Sequence, residues 1–260
     1  MISKQNIKNI IELNINLLPT IKAHVNEIWD RGIEYKYKPI TSIKNYLIKN
    51  TEVILFPSKS LNYGGMVLYR SNNFYIHINT LQPKTYENFV WAHEFYHYVF
   101  EKELIKNVNE VTFVNDSNDN QIERKANLFA AEFLINKDIL KTVFDDIKNQ
   151  NPDEPLQTNV IRLMATFILP YKTLVIKLAQ DGLISIDEAE DIIDYPYRDN
   201  LPQDFDLTIL EPSKAIKIDG LNSLINENTK INSLSDVDME SIVNLKNKHL
   251  QQLESIRKEI

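Results

Sequence analysis

The sequence predicts an α+β fold: a small, mainly antiparallel sheet packed on helices, then a helical follow-on region and a separate C-terminal segment. Three observations predict it. Apolar residues recur at three- and four-residue spacing through much of the chain. Short strand-like runs cluster between residues 52 and 79. A length of 260 residues, 43% hydrophobic and 25% charged, is ample for a sizeable core in a globular chain.

In order along the chain, Ile7, Ile10, Ile11, Leu17, Leu18, Ile21, Val25, Ile28 and Trp29 give residues 5–31 a helical stripe, expected to be interrupted near Pro19. Residues 42–50 read as a short helix. Glu52–Phe56, Met66–Arg70 and Phe74–Asn79 read as strands, with a turn at Asn62–Gly65 and a tight connection at Ser71–Asn73. In the last strand Phe74, Ile76 and Ile78 face one way and Tyr75, His77 and Asn79 the other. A strong helix is expected over 85–103, with Thr85 as N-cap. After a polar loop at 114–120, residues 121–135 form another helix, and Asn136 caps a third that runs to Gln150. Asn151–Pro155 is a break. Residues 157–194 read as three short helices, with Pro170 between the first two and Gly182 at a helix end. Residues 196–219 carry three prolines among short apolar runs. Ser235 caps a final helix over Asp236–Glu259.

Composition excludes several kinds of chemistry. No cysteine means no disulfide, no Cys-based zinc finger, no iron–sulfur cluster and no thiol nucleophile. The five glycines form neither GxGxxG nor GxxxxGKS. A net charge of −7 argues against a general affinity for nucleic acid or an anionic membrane. No signal-like or spanning apolar block is present, so the expected compartment is a reducing cytoplasm.

What chemistry remains is concentrated in His93-Glu94-Phe95-Tyr96-His97, an HExxH pentapeptide holding two of the five histidines. On a helix, positions i and i+4 share a face, so both imidazoles can reach one metal ion. Glu94, beside the first histidine, can take the proton of a water that a zinc ion acidifies. A catalytic zinc also needs a third protein ligand, and no later histidine has the right spacing. The carboxylates available are Glu101, Glu103, Glu110, Glu123 and Glu132. Glu101 and Glu103 continue the same helix, pointing past the site or away from it. Glu110 lies in an irregular stretch, and Glu132 reads as structural or solvent-facing. Glu123 opens a helix with Asn127 one turn on and small Ala126, Ala130 and Ala131 nearby, which permits close helix approach. Asn127 is then placed to hold a histidine's outer ring nitrogen. For the tetrahedral oxyanion, His77, Tyr75, Tyr96 and Tyr98 are the candidates. Phe74–Asn79 reads either as a cleft-edge strand that pairs with an extended peptide or as an ordinary sheet strand.

Three runs together carry a family likeness: Phe74-Tyr-Ile-His-Ile-Asn79, Phe89-Val-Trp-Ala-His-Glu-Phe-Tyr-His-Tyr-Val-Phe100 and Glu123-Arg-Lys-Ala-Asn-Leu-Phe-Ala-Ala-Glu-Phe-Leu134. Over residues 20–195 the chain resembles the ImmA/IrrE family of metallo-endopeptidases. The resemblance implies one zinc ion per chain, held by His93, His97 and Glu123, with Glu94 as catalytic base. It also implies a protein substrate, a helix-turn-helix repressor, cleaved to relieve repression on stress or induction of a mobile element. The family usually has Gly where this chain has Tyr96, whose phenol adds bulk near the metal helix. On this reading, residues 1–150 are a zincin-like protease core whose sheet packs on the two ligand-bearing helices. Residues 151–197 are a helix-turn-helix-like follow-on, and 198–260 are an extension of unknown role.

Two other classes fit the residues less well. A non-catalytic metal-binding regulator or toxin-like partner would keep the fold without turnover, yet the HExxH glutamate is intact. A DNA-binding regulator would use Lys172–Asp181 as reading helix, but its only cations are Lys172 and Lys177. The last helix carries Ile242, Leu245, His249, Leu253, Ile256 and Ile260 as a stripe that packs on the body or mediates self-association.

Overall fold

In a computed structural model of the chain, residues 2–60, 63–107, 121–218 and 235–259 are described. The fold is α+β, with a small mixed sheet among many helices. The expected loop at 114–120, Glu110, and the side chains of Leu253, Ile256 and Ile260 lie outside the described residues.

Helix α1 runs unbroken over Ile7–Arg31, with Pro19 inside it. The interruption expected at Pro19 does not occur. Pro19 and Ile15, the residue whose carbonyl loses its partner, are both exposed, so water can take the freed acceptor. The opposite face buries Ile7, Ile10, Ile11, Asn14, Ile21, Val25 and Ile28. Helices α2 (Glu34–Tyr37) and α3 (Pro39–Asn50) follow, the latter starting on a proline that suits a first turn.

Strands β1 (Glu52–Phe56), β2 (Gly65–Arg70), β3 (Asn73–Asn79) and β4 (Lys217–Ile218) form one sheet in the order β2-β3-β1-β4. β2 and β3 are an antiparallel hairpin around Ser71 and Asn72, both at positive φ (51° and 67°), as a type I′ turn requires. β1 and β3 pair in parallel from Glu52↔Tyr75 to Phe56↔Asn79, and β4 joins β1 antiparallel. The strand considered for a cleft edge, β3, is therefore an interior strand. The outer strands are β2 and β4.

Helix α4 (Lys84–Phe100) begins one residue earlier than expected and stops at Glu101; α5 (Lys102–Asn107) is separate. Thr85 is not its cap. Pro83 occupies that position, and Thr85 is buried in the first turn. α6 (Gln121–Leu134) packs across α4. α7 (Lys137–Gln150) starts at Asn136, whose side chain accepts from the N–H groups of Asp138 and Ile139, as expected from sequence. α8 (Leu156–Phe167), α9 (Tyr171–Gln180) and α10 (Ile186–Ile192) follow. At the end of α9, Gly182 takes φ 72°, with Gly182 N–H on Ala179 O and Leu183 N–H on Leu178 O, a Schellman closure.

Two apolar clusters form the core. One joins the sheet, α3, α4, α6 and the C-terminal half of α1. The other joins α7–α10, Ile209 and the N-terminal turns of α1, through Ile7 and Ile11. Residues 211–218 return to the sheet: Thr80 Oγ1 donates to Ala215 O (2.8 Å), Lys214 N–H to Thr80 O (2.9 Å) and Ser213 Oγ to Glu87 Oε2 (2.7 Å). Helix α11 (Asp236–Glu259) begins at Ser235, whose Oγ accepts from Asp238 N–H. No single helix among the described residues is long and apolar enough to cross a membrane.

Candidate metal centre

His93 and His97 lie one turn apart on α4, their ring centroids 4.7 Å apart and their Nε2 atoms 2.9 Å apart. α6 delivers Glu123 to the same point, with Oε2 3.1 Å from His93 Nε2 and Oε1 3.6 Å from His97 Nε2. Close approach of the two helices is possible because Ala92, Ala126 and Ala130, all fully buried, lie on them. The three residues are buried, and one donor atom from each lies within 4.8 Å of the others, an arrangement that could hold a metal ion.

The outer ring nitrogens are engaged as a metal site requires. His93 Nδ1 pairs with Asn127 Oδ1 at 2.9 Å, and His97 Nδ1 with Glu101 Oε2 at 2.5 Å. Each pairing leaves Nε2 facing the cluster. Glu101 thus does not point past the site, because its side chain turns back one helical turn. The i,i+4 spacing from His97 was the signal that could have found it.

Charge in the cluster is strongly coupled. Burial lowers the His97 pKa, but hydrogen bonds to Glu101 and Glu123 and nearby carboxylates outweigh it and raise it to about 10. Burial raises that of Glu123, yet hydrogen bonds and charge from both histidines bring it down to about 2. Without a metal, then, a proton on His97 offsets the glutamate. Glu94 stands next to this pair, fully buried, with both carboxylate oxygens lacking a hydrogen-bond partner among the described residues. Burial raises its pKa to about 7, with His93 and His97 opposing and Glu123 adding to the rise. Its Oε1 lies 2.9 Å from where a Cβ on Gly65 would stand, so β2 can pass this close only with glycine there. A buried carboxylate with no protein partner, beside three converging donors, is the arrangement expected where a metal ion and a reacting water belong.

Residues 51–179, from the start of β1 into α9, match the family model described as Peptidase_M78, IrrE N-terminal-like domain. Over these residues, just under half of its length, the chain carries an M78-type peptidase domain. The M78 domain contains every residue of the cluster, while α1 packs against it from outside the matched range. No curated protein and no solved structure matches the chain. The family supports a metallopeptidase-type function.

The remaining sequence-selected residues of the M78 domain are dispersed. His77 is half-buried and has both nitrogens engaged: Nδ1 with the Tyr63 hydroxyl at 2.5 Å, and Nε2 with Phe56 O at 3.3 Å. Burial lowers its pKa, only partly offset by the Phe56 carbonyl, so it is neutral at pH 7. Tyr75 lies on the same strand face, half-buried, opposite Glu52 and Leu68. Tyr96 is packed among His24, Phe100 and Phe129, so the bulk that replaces the family's glycine fills the core. Tyr98 donates to Asn50 O on α3. Glu132 is buried against Lys177 at 2.6 Å. Three residues escaped sequence reading in these roles: Tyr63, Gly65 and Asn79. The Asn79 side chain binds Ser58 O, Ser60 O and Tyr63 O and accepts from the Ser58 and Leu81 N–H groups, so it holds the loop that leads to Gly65 over Glu94.

Proposed function

We propose that the chain is a zinc-dependent endopeptidase acting on a partner protein. The observation that carries this reading is the juxtaposition of Glu94, with two unpartnered buried oxygens, and the His93–His97–Glu123 cluster. Two imidazoles and a carboxylate with no thiolate suit a catalytic zinc, one per chain, with a fourth position left open. When bound, that ion supplies Lewis acidity at neutral pH. The work of this chain's residues is then specific. Asn127 orients the His93 imidazole. Glu94 takes a proton from the attacking water and returns it to the leaving amide nitrogen, a role favoured by a carboxyl whose pKa lies near the working pH. Gly65 and the Asn79-held loop wall the carboxylate off from solvent. β2, the outer strand beginning at Gly65, is placed to receive an extended segment of substrate by backbone pairing.

The substrate we propose is a helix-turn-helix repressor, in a cytoplasmic response to stress or mobile-element induction; the support is the ImmA/IrrE resemblance. Use of α8–α9 to bind DNA is disfavoured by burial. The two helices cross at 107°, as in a helix-turn-helix, but most of α9 is buried and its outermost cation, Lys172, is taken up by Asp194 and Ile2 O. The test is to incubate the metal-loaded protein with a repressor encoded beside it. Cleavage by the wild type, lost in Glu94→Gln with zinc content unchanged, is expected. Equal cleavage by both proteins, or none by either, would sink the peptidase reading.

A further inference from the structure

The two histidines are held from behind by unlike groups, an amide oxygen on His93 and a carboxylate on His97. Glu101 stands where a helix disfavours it. It is the C-cap of α4, its N–H still on His97 O at 3.1 Å, and the macrodipole there repels negative charge. Its side chain is 11% exposed, and among the described residues its only ion-pair partner is His97, since the neighbouring Lys102 turns instead to Tyr98 and Phe74. Its other close surroundings include the aromatic group formed by His24, Tyr96 and Phe100. A nearly buried carboxylate in an unfavourable field, facing one histidine, contributes little to the helix that carries it.

We propose that Glu101 is a positioning residue for His97. Its carboxylate accepts the Nδ1–H, fixes the ring plane and tautomer, and strengthens Nε2 as a donor to a divalent cation. The site is then asymmetric, with His97 the stronger imidazole donor and His93, held by a neutral amide, the weaker. This rests on the metal-binding part of the proposed function and does not require peptidase activity.

The test titrates the full chain, stripped of metal, with cobalt(II) and follows the visible d–d absorption. Glu101→Ala is expected to bind about 10–100-fold more weakly, with a shifted band. Glu101→Gln keeps an oxygen acceptor without the charge; it is expected to restore the band position and to fall between the two in affinity. Glu103→Ala, exposed on α5, should match the wild type. A folded Glu101→Ala protein with wild-type affinity and spectrum overturns the inference and leaves the metal reading standing. Should Glu101→Ala not fold, Glu101→Gln decides alone, and wild-type affinity in it overturns the inference. A wild-type chain that takes up no cobalt overturns both readings together.

Discussion

A cation at the cluster acts on His97 and on Glu94 in the same direction, favouring the proton-free form of each. The His97 pKa, raised to about 10, keeps a proton on the cluster at neutral pH without metal. A metal ion needs that lone pair, so binding at pH 7 is expected to release about one proton. Affinity should then fall by about tenfold per pH unit on acidification, from the same proton competition. Calorimetric titration in buffers of different ionisation enthalpy reads the proton count; a count of zero would contradict the coupling. For Glu94, replacing the carboxylate by an amide is expected to lower turnover by about 10²–10⁴-fold, as for loss of a general base. Metal affinity should stay within a few-fold, because Glu94 is not one of the three converging donors.

Among the elements, α1 carries an interior proline on its wet face. Pro19→Ala restores a backbone donor without touching the core. It is expected to raise stability by about 1–3 kcal/mol, read by urea denaturation, and a loss would mean that the proline shapes a packed bend. Asn136 does the reverse service for α7. Asn136→Ala should cost about 1 kcal/mol, since two backbone donors lose their acceptor. The Arg162 pairs join α8 to Glu154 and Asp204 at 2.8 and 2.9 Å. Arg162's hydrogen bond holds the Glu154 pKa below its ordinary 4.5. A depressed carboxylate stabilises fully above that ordinary value and loses its contribution as pH falls through the depressed one. Arg162→Met should therefore cost up to about 1 kcal/mol at pH 7. The difference from wild type should shrink as pH drops below 4.5, seen in melting temperatures across pH.

At the scale of the whole molecule, the two apolar clusters are tied by a buried charge group. Lys177 on α9, almost fully buried, reaches Glu132 on α6 at 2.6 Å and Asp181 at 2.9 Å. Gln180 also donates to Glu132 and accepts from Asn14 on α1. Lys177→Ala would leave two carboxylates buried and unpaired, and is expected to cost about 3–5 kcal/mol. Because α6 also carries Glu123, the same variant should weaken metal binding if the tie positions that helix, and leave it unchanged if the tie only adds stability. The returning segment 211–218 is a second tie, covering the β1 edge and reaching Glu87 at the base of α4.

Much of this was legible residue by residue. Periodicity placed most helices and the three main strands to within a few residues. The HExxH spacing put both imidazoles on one face, and Ala126, Ala130 and Asn127 made the Glu123 helix a plausible neighbour. These are local properties: a helix repeats every 3.6 residues, and a strand every two, whatever surrounds them. Only the tertiary structure decided the rest. β3 became an interior strand because β1 pairs with it in parallel, a contact across sequence that no local pattern encodes. Pro19 left α1 unbroken because its face is wet. Tyr96 turned into the core, and Glu101 turned back to His97. The seemingly structural Glu132 met a buried lysine from another helix. Even Gly65, unremarkable in a turn-like run, matters because of a carboxylate supplied by α4. The sequence by itself determined which donors exist and which share a helix face, because covalent spacing fixes that. Their convergence, burial and proton affinities were decided by packing between segments far apart in the chain, where distance and desolvation, not spacing, set the energies.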